Sequence, residues 1–269
     1  MSSKILNQLR CLFNRGHLNF WQVLLFACLS LISIATIAVA SSPSLPPLQT
    51  YPLPPSLAQW KASEDTGDYF SEVQTTPVGY LIWREFPVKV YLDRPEVSAV
   101  ASASKLRFEQ WSEAVASALG EWNPYLPLIE VEKPEMADII IKREQPPLQV
   151  SRDPQTGQLR LPRARAATAQ YEFYLHRTTQ QASRLAHRFQ IYISPSQTPE
   201  YTQATARHEL GHALGIWGHS TVETDTLYFS QVRQPSPVSP RDINTLRKIY
   251  QQPTRLGGRL DFLQKSSNK

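Results

Sequence analysis

Cysteine is nearly absent from this 269-residue chain. Only Cys11 and Cys28 occur, both before residue 41. Everything after residue 40 is therefore barred from disulfides and from cysteine metal ligands, and is indifferent to the redox state of its compartment. Acidic residues are missing from the first 40 positions, where Lys4, Arg10 and Arg15 lie. Taking those three from the 28 basic residues leaves 25 against 23 acids, a net of +2 for residues 41–269. Such a balance does not suggest a nucleic-acid binder, despite the overall +5. Internal repeats are lacking. So are clustered carboxylates, so no dedicated calcium site is expected.

Charge is also lacking between Arg15 and Lys61. Within that gap, residues 20–40 read FWQVLLFACLSLISIATIAVA. About 20 apolar residues suffice to cross a bilayer as a helix. The flanking Lys and Arg lie on the N-terminal side alone, which predicts that the N-terminus stays cytoplasmic and the rest is exported. Ala38-Val39-Ala40 is an A-x-A cleavage pattern, so residues 1–40 read either as a signal peptide or as an uncleaved membrane anchor. Residues 43–55, PSLPPLQTYPLPP, hold six prolines. This composition predicts an extended, semi-rigid spacer outside the core, with 41–79 as linker or short pro-segment.

Organised structure is expected from Tyr80 to about residue 252, with 253–269 as a polar tail. Phe86, Val88, Val90 and Leu92 alternate, which predicts a strand. From Glu96 to Leu119 the period changes. Val97, Ala101, Ser104, Phe108, Trp111, Val115 and Leu119 form one helical stripe, with Gly120 as the expected C-cap. Residues 126–132 and 138–142 read as strands joined by a turn at Lys133-Pro134. The stretch 144–166 reads as loop, made locally basic by Arg160, Arg163 and Arg165. Tyr171–Leu175 and Phe189–Ile193 read as further strands. The order predicts an α+β (mixed α/β) fold with one helix backing a twisted sheet.

What the chain does have is HELGHALGIWGHS, residues 208–220. Three of its six histidines fall there within 12 positions. Thr198-Pro199-Glu200 is a strong helix start, with Thr as N-cap and Pro at the first helical position. On that helix His208 and His212 stand at i and i+4 and project from one face, while Ala206, Leu210, Ala213 and Trp217 fall roughly opposite. Two imidazoles one turn apart can both reach a zinc ion. Glu209 beside them can deprotonate a water that the metal has made acidic. Gly215 can end the helix, and His219 on the returning chain is the candidate third ligand. A bland alternative is a solvated helix with surface histidines, but capping, glycine and a third histidine all coincide here. His17, His176 and His187 lack any such arrangement and read as ordinary surface or core residues.

The stretch resembles the extended zinc motif HExxHxxGxxH of metzincin peptidases, especially the matrixins, whose His-Ser pair is matched by His219-Ser220. The order of strands and helix across 86–142 is similar as well. Thr224–Phe229 lies where that family has its Met-turn, and Ser239–Tyr250 resembles its closing helix, with Ser239 and Asp242 as a capping box and Ile243, Leu246 and Ile249 as a buried stripe. The resemblance spans roughly residues 80–252. It implies a mostly parallel sheet with a backing helix, an active-site helix and a C-terminal helix. Two departures stand out. His219 comes one residue late, Gly218 holding the family's ligand position and offering backbone freedom to absorb the insertion. Leu227 stands in place of the methionine and can supply the same apolar base. Glu223 and Asp225 are reserve ligand candidates that read better as turn residues. A cysteine-switch propeptide is excluded, since no cysteine is available.

The resemblance implies an exported zinc endopeptidase, read as a monomer acting on a polypeptide. Glu209 would be the general base and His208, His212 and His219 the Zn2+ ligands. The substrate would lie along an edge strand between about 166 and 175. Membrane attachment would follow if the N-terminal segment is uncleaved. The alternatives are a non-catalytic zinc-containing binding module, disfavoured by the presence of Glu209, and a zinc hydrolase of a non-peptide amide.

Overall fold

A computed structural model describes residues 45–61, 66–96, 102–148, 150–160, 165–177 and 183–260. The apolar run at 20–40, both cysteines, His17, Val97 and Ala101 lie outside them. Among the described residues no helix is long and apolar enough to cross a membrane.

The fold is α+β, with a six-stranded, mostly parallel sheet and four α-helices among the described residues. Strand β1 is Val88–Leu92, and its alternating residues Val88, Val90 and Leu92 are buried, as the period of two requires. β2 (Leu128–Glu130) and β3 (Ile139–Lys142) pair with it in parallel on either side. The predicted turn between them is a 3-10 turn at Pro134–Met136. A short hairpin, β4 (Ser151–Arg152) with β5 (Leu159–Arg160), interrupts the predicted loop. β6 (Ala167–Arg177) and β7 (Ser183–Ile193) are both longer than predicted, because they extend one another as an antiparallel pair. β7 also runs parallel to β3, which gives the order β2-β1-β3-β7-β6. β6 is thus a terminal strand, and among the described residues its outer edge pairs with no other strand.

The helices cover this sheet. The first, α1, is the short Pro55–Gln59. The backing helix α2 spans Ala103–Trp122, capped by the Ser102 side chain, and buries Trp111, Ala114, Val115, Ala118 and Trp122. Its end is not at Gly120. That glycine is an ordinary helical residue, and Asn123 is the C-cap. Tertiary burial of Trp122 carries the helix past a residue whose propensity alone would have stopped it. The third helix, α3 (Pro199–Ala213), starts on Thr198 as predicted, and α4 (Pro240–Tyr250) starts on the Ser239–Asp242 capping box. Ile243, Leu246 and Ile249 are fully buried.

The domain boundaries at 80 and 252 need correction. Leu57, Tyr69 and Val78 are core residues, and so are Thr254 and Leu256 beyond the predicted end. The two flanks hold each other. Gln49 and Thr254 exchange backbone hydrogen bonds of 2.9 Å, and the Arg255 guanidinium donates to the Pro46 carbonyl. Proline does remove donors from the 45–55 segment, but carbonyls and intervening residues still find partners. The compact unit runs from Leu45, and β8 (Arg259–Leu260) closes onto the start of β7.

Candidate metal and catalytic site

Helix α3 lies against α2, with the Trp122 indole donating to the Arg207 carbonyl at 2.9 Å. Arg207 is itself held by Glu121 at 2.5 and 2.7 Å. Ala206, Leu210 and Ala213 face the core, as the periodicity predicts. Trp217 does not belong to that face. It sits after the helix and packs edge-on against His212, with ring centroids 5.5 Å apart. Gly211 is required for packing. A Cβ there would fall 2.5 Å from Leu227 and 3.2 Å from Trp122. Leu227 is fully buried against this part of the helix, one residue from His212.

His208, His212 and His219 come together, and their ligand nitrogens all lie within 4.8 Å of one another. Gly215, at φ 131°, makes the turn that returns the chain to the helix. Two of the three rings are oriented by backbone. Nδ1 of His208 is 2.8 Å from the Thr226 carbonyl, and Nδ1 of His212 is 2.8 Å from the Ile216 carbonyl. A carbonyl only accepts, so each Nδ1 carries the proton and each Nε2 keeps its lone pair for a metal. Burial, the largest cause, pushes His208 down to about 4 and His212 well below the usual range. Burial and then Arg165 lower His219 as well. Neutral imidazoles at neutral pH are the ligand form. The three histidines can hold a metal ion, their ligand nitrogens converging beside an open cleft.

Glu209 lines the same cleft, of about 880 Å³, with Arg165, Ala169, Tyr201, Tyr228 and Phe229 among its other walls. Burial raises its carboxyl to about 7, opposed by the Ala169 backbone amide and by Arg165. A carboxylate poised there can both accept and return a proton near neutrality. Ala169 lies on β6, so the free edge of the sheet runs past the glutamate.

The supports around the ligands went unseen in the sequence. Asp225 accepts from Ser220 at 2.5 Å, Ser239 at 2.8 Å and Arg241 at 3.0 Å. It is a turn residue, not a ligand; Glu223 is exposed at the cleft. Asp242 was legible as a cap, but it also accepts from the Thr226 amide at 3.0 Å and from the Tyr69 hydroxyl. It thereby fixes the turn whose Thr226 carbonyl orients His208. Gly218 has a role other than backbone freedom. Its φ is not positive, and a Cβ there would lie 2.9 Å from Val73 Cα and closer still to the Glu72 carbonyl oxygen. The segment 72–74 runs as a strap across the His219 loop, bridging Gly218 through Val73 and bonding the Trp217 carbonyl through the Gln74 amide at 2.8 Å. His187 is buried under Trp83, and His176 is exposed on β6; neither joins the site.

Comparison with known proteins adds no relative: no protein-family model matches the chain, and no curated protein matches it.

Proposed function

We propose that this protein is a zinc-dependent endopeptidase working outside the cytoplasm, anchored by or released from its N-terminal apolar segment. The observation that carries the reading is the joint presence of three convergent histidines, two with Nδ1 bound to carbonyls, and a buried Glu209 in one cleft. Zinc, when bound, acidifies a coordinated water and polarises the carbonyl under attack. His208, His212 and His219 would hold it. Glu209 accepts the proton of the attacking water at its carboxylate and returns it to the leaving amine. The free edge of β6 offers backbone groups to an extended peptide and would place the scissile bond beside Glu209. Leu227 packs beneath the ligand helix, the role expected of the apolar base.

The test uses the full-length chain, a denatured protein and a mixed peptide pool. Stoichiometric zinc should bind, a chelator should abolish cleavage, and added zinc should restore it. His212→Ala and His219→Ala should each weaken zinc binding strongly. Cleavage that persists without metal, or zinc binding indifferent to all three histidines, would overturn the reading.

A further inference from the structure

Arg165 takes no part in the reaction described above. It stands two residues before β6 and lines the cleft together with Glu209 and the three histidines. Its side chain is exposed, and it forms neither a hydrogen bond nor an ion pair with any described residue. The other arginine of the cleft, Arg207, is committed to Glu121 and to the Ser236 carbonyl at 2.8 Å. Among the described residues, Arg165 is therefore the cleft arginine with donors left to offer. Arg165 and the following residues through Ala169 line one continuous wall of the cleft that also holds Glu209 and His219, so the guanidinium opens on the same cleft as the reacting centre.

Strand direction says which part of a substrate it would meet, granted the peptidase reading. A peptide adding antiparallel to the outer edge of β6 runs opposite to that strand. Ala169 is the residue furthest along β6 that lines the cleft with Glu209, and so marks the level of the scissile bond. Residues before Ala169 on the strand then face substrate residues after the scissile bond. Arg165 lies four positions before Ala169, a span of roughly 13 Å at about 3.3 Å per residue. A planar guanidinium with free donors is built to take a carboxylate.

We propose that Arg165 is a specificity-determining residue that selects polypeptides carrying a carboxylate within about four residues after the scissile bond. The carboxylate comes either from an Asp or Glu side chain or from the substrate's own C-terminus.

The test separates binding from turnover. The full-length, zinc-loaded Glu209→Gln chain is titrated with amidated peptides that differ in having Glu or Gln at each of four successive positions. A neutral peptide with a free C-terminus is added to distinguish the two sources. A Glu peptide, or the free-terminus peptide, should bind about fivefold tighter than its uncharged counterpart at low salt, and the advantage should fade in high salt. Arg165→Ala should erase that advantage while leaving the neutral amidated peptides and the zinc content unchanged, and Arg165→Glu should reverse it. An advantage that survives Arg165→Ala, an equal loss for acidic and neutral peptides, or no binding of any peptide would overturn the proposal. Cleavage of the same peptides by the unsubstituted chain judges the peptidase reading separately.

Discussion

Gly218→Ala is the substitution that most sharply separates two physical accounts of the His219 loop. On the account of conformational freedom, alanine is harmless, because the backbone at Gly218 lies outside the left-handed region. On the account of close approach, alanine cannot fit. Its Cβ would lie 2.9 Å from Val73 Cα and 3.0 Å from the Glu72 carbonyl carbon, all of it backbone that has no rotamer to move. Ordinary carbon contacts begin near about 3.5 Å, so the strap and the loop must part by roughly 0.5–1 Å. The Gln74–Trp217 hydrogen bond, now 2.8 Å, would stretch past useful length, costing about 1 kcal/mol, and the clash would bring the total to about 1–3 kcal/mol. Displacement of His219 should weaken zinc about 10- to 100-fold. Zinc affinity is read by competition with a chromophoric chelator, and stability by denaturant unfolding of the metal-free chain. Gly120→Ala, in a helix with nothing within 4 Å of the added methyl, is the control and should stabilise by up to about 1 kcal/mol. Unchanged zinc affinity and stability in Gly218→Ala would refute the reasoning.

Other outcomes follow from the same structure. Leu57→Ala should cost about 2–5 kcal/mol in denaturant unfolding, because the side chain is fully buried; a loss under about 0.5 kcal/mol would return residues 45–61 to the status of a linker. Asp242→Asn should cost about 1–3 kcal/mol, because keeping an oxygen on the Thr226 and Ser239 amides turns the new NH2 toward the Tyr69 hydroxyl donor, and should weaken zinc binding through the Thr226 carbonyl that holds His208. His187 is held down to about 3 by burial, below its usual value near 6.5. The unfolded chain therefore binds the extra proton between those values, and stability is lost as pH falls through that window. His187→Phe should remove up to about 1.4 kcal/mol per pH unit of that loss, seen as a flatter unfolding free energy between pH 6.5 and 3.

The helix of His208 and His212 was legible because capping, spacing and periodicity agree there: Thr198 caps it, Pro199 opens it, and the two histidines lie close together. β1 and α4 were legible for the same reason, one by alternation and the other by its capping box. The flanking segments were not. Proline content says how 45–55 bends, not whether Leu57 finds a cavity or Gln49 a partner at Thr254, and such long-range pairings leave no local pattern. The ligand supports were hidden for a related reason. The Thr226 and Ile216 carbonyls are backbone atoms carried by every residue type, so side-chain identity cannot announce them. Gly218 was visible as a glycine, but its reason lies in Glu72 and Val73, far away in sequence.

The central claim is that Glu209 moves the proton in peptide hydrolysis at a metal held by three histidines. Its most direct test compares full-length wild-type and Glu209→Gln chains, each assayed for zinc content and for new peptide termini in the same sample. The account predicts one zinc per chain in both, with termini appearing in the wild type and falling at least about 100-fold in the variant. Equal cleavage by two equally zinc-loaded chains would contradict it.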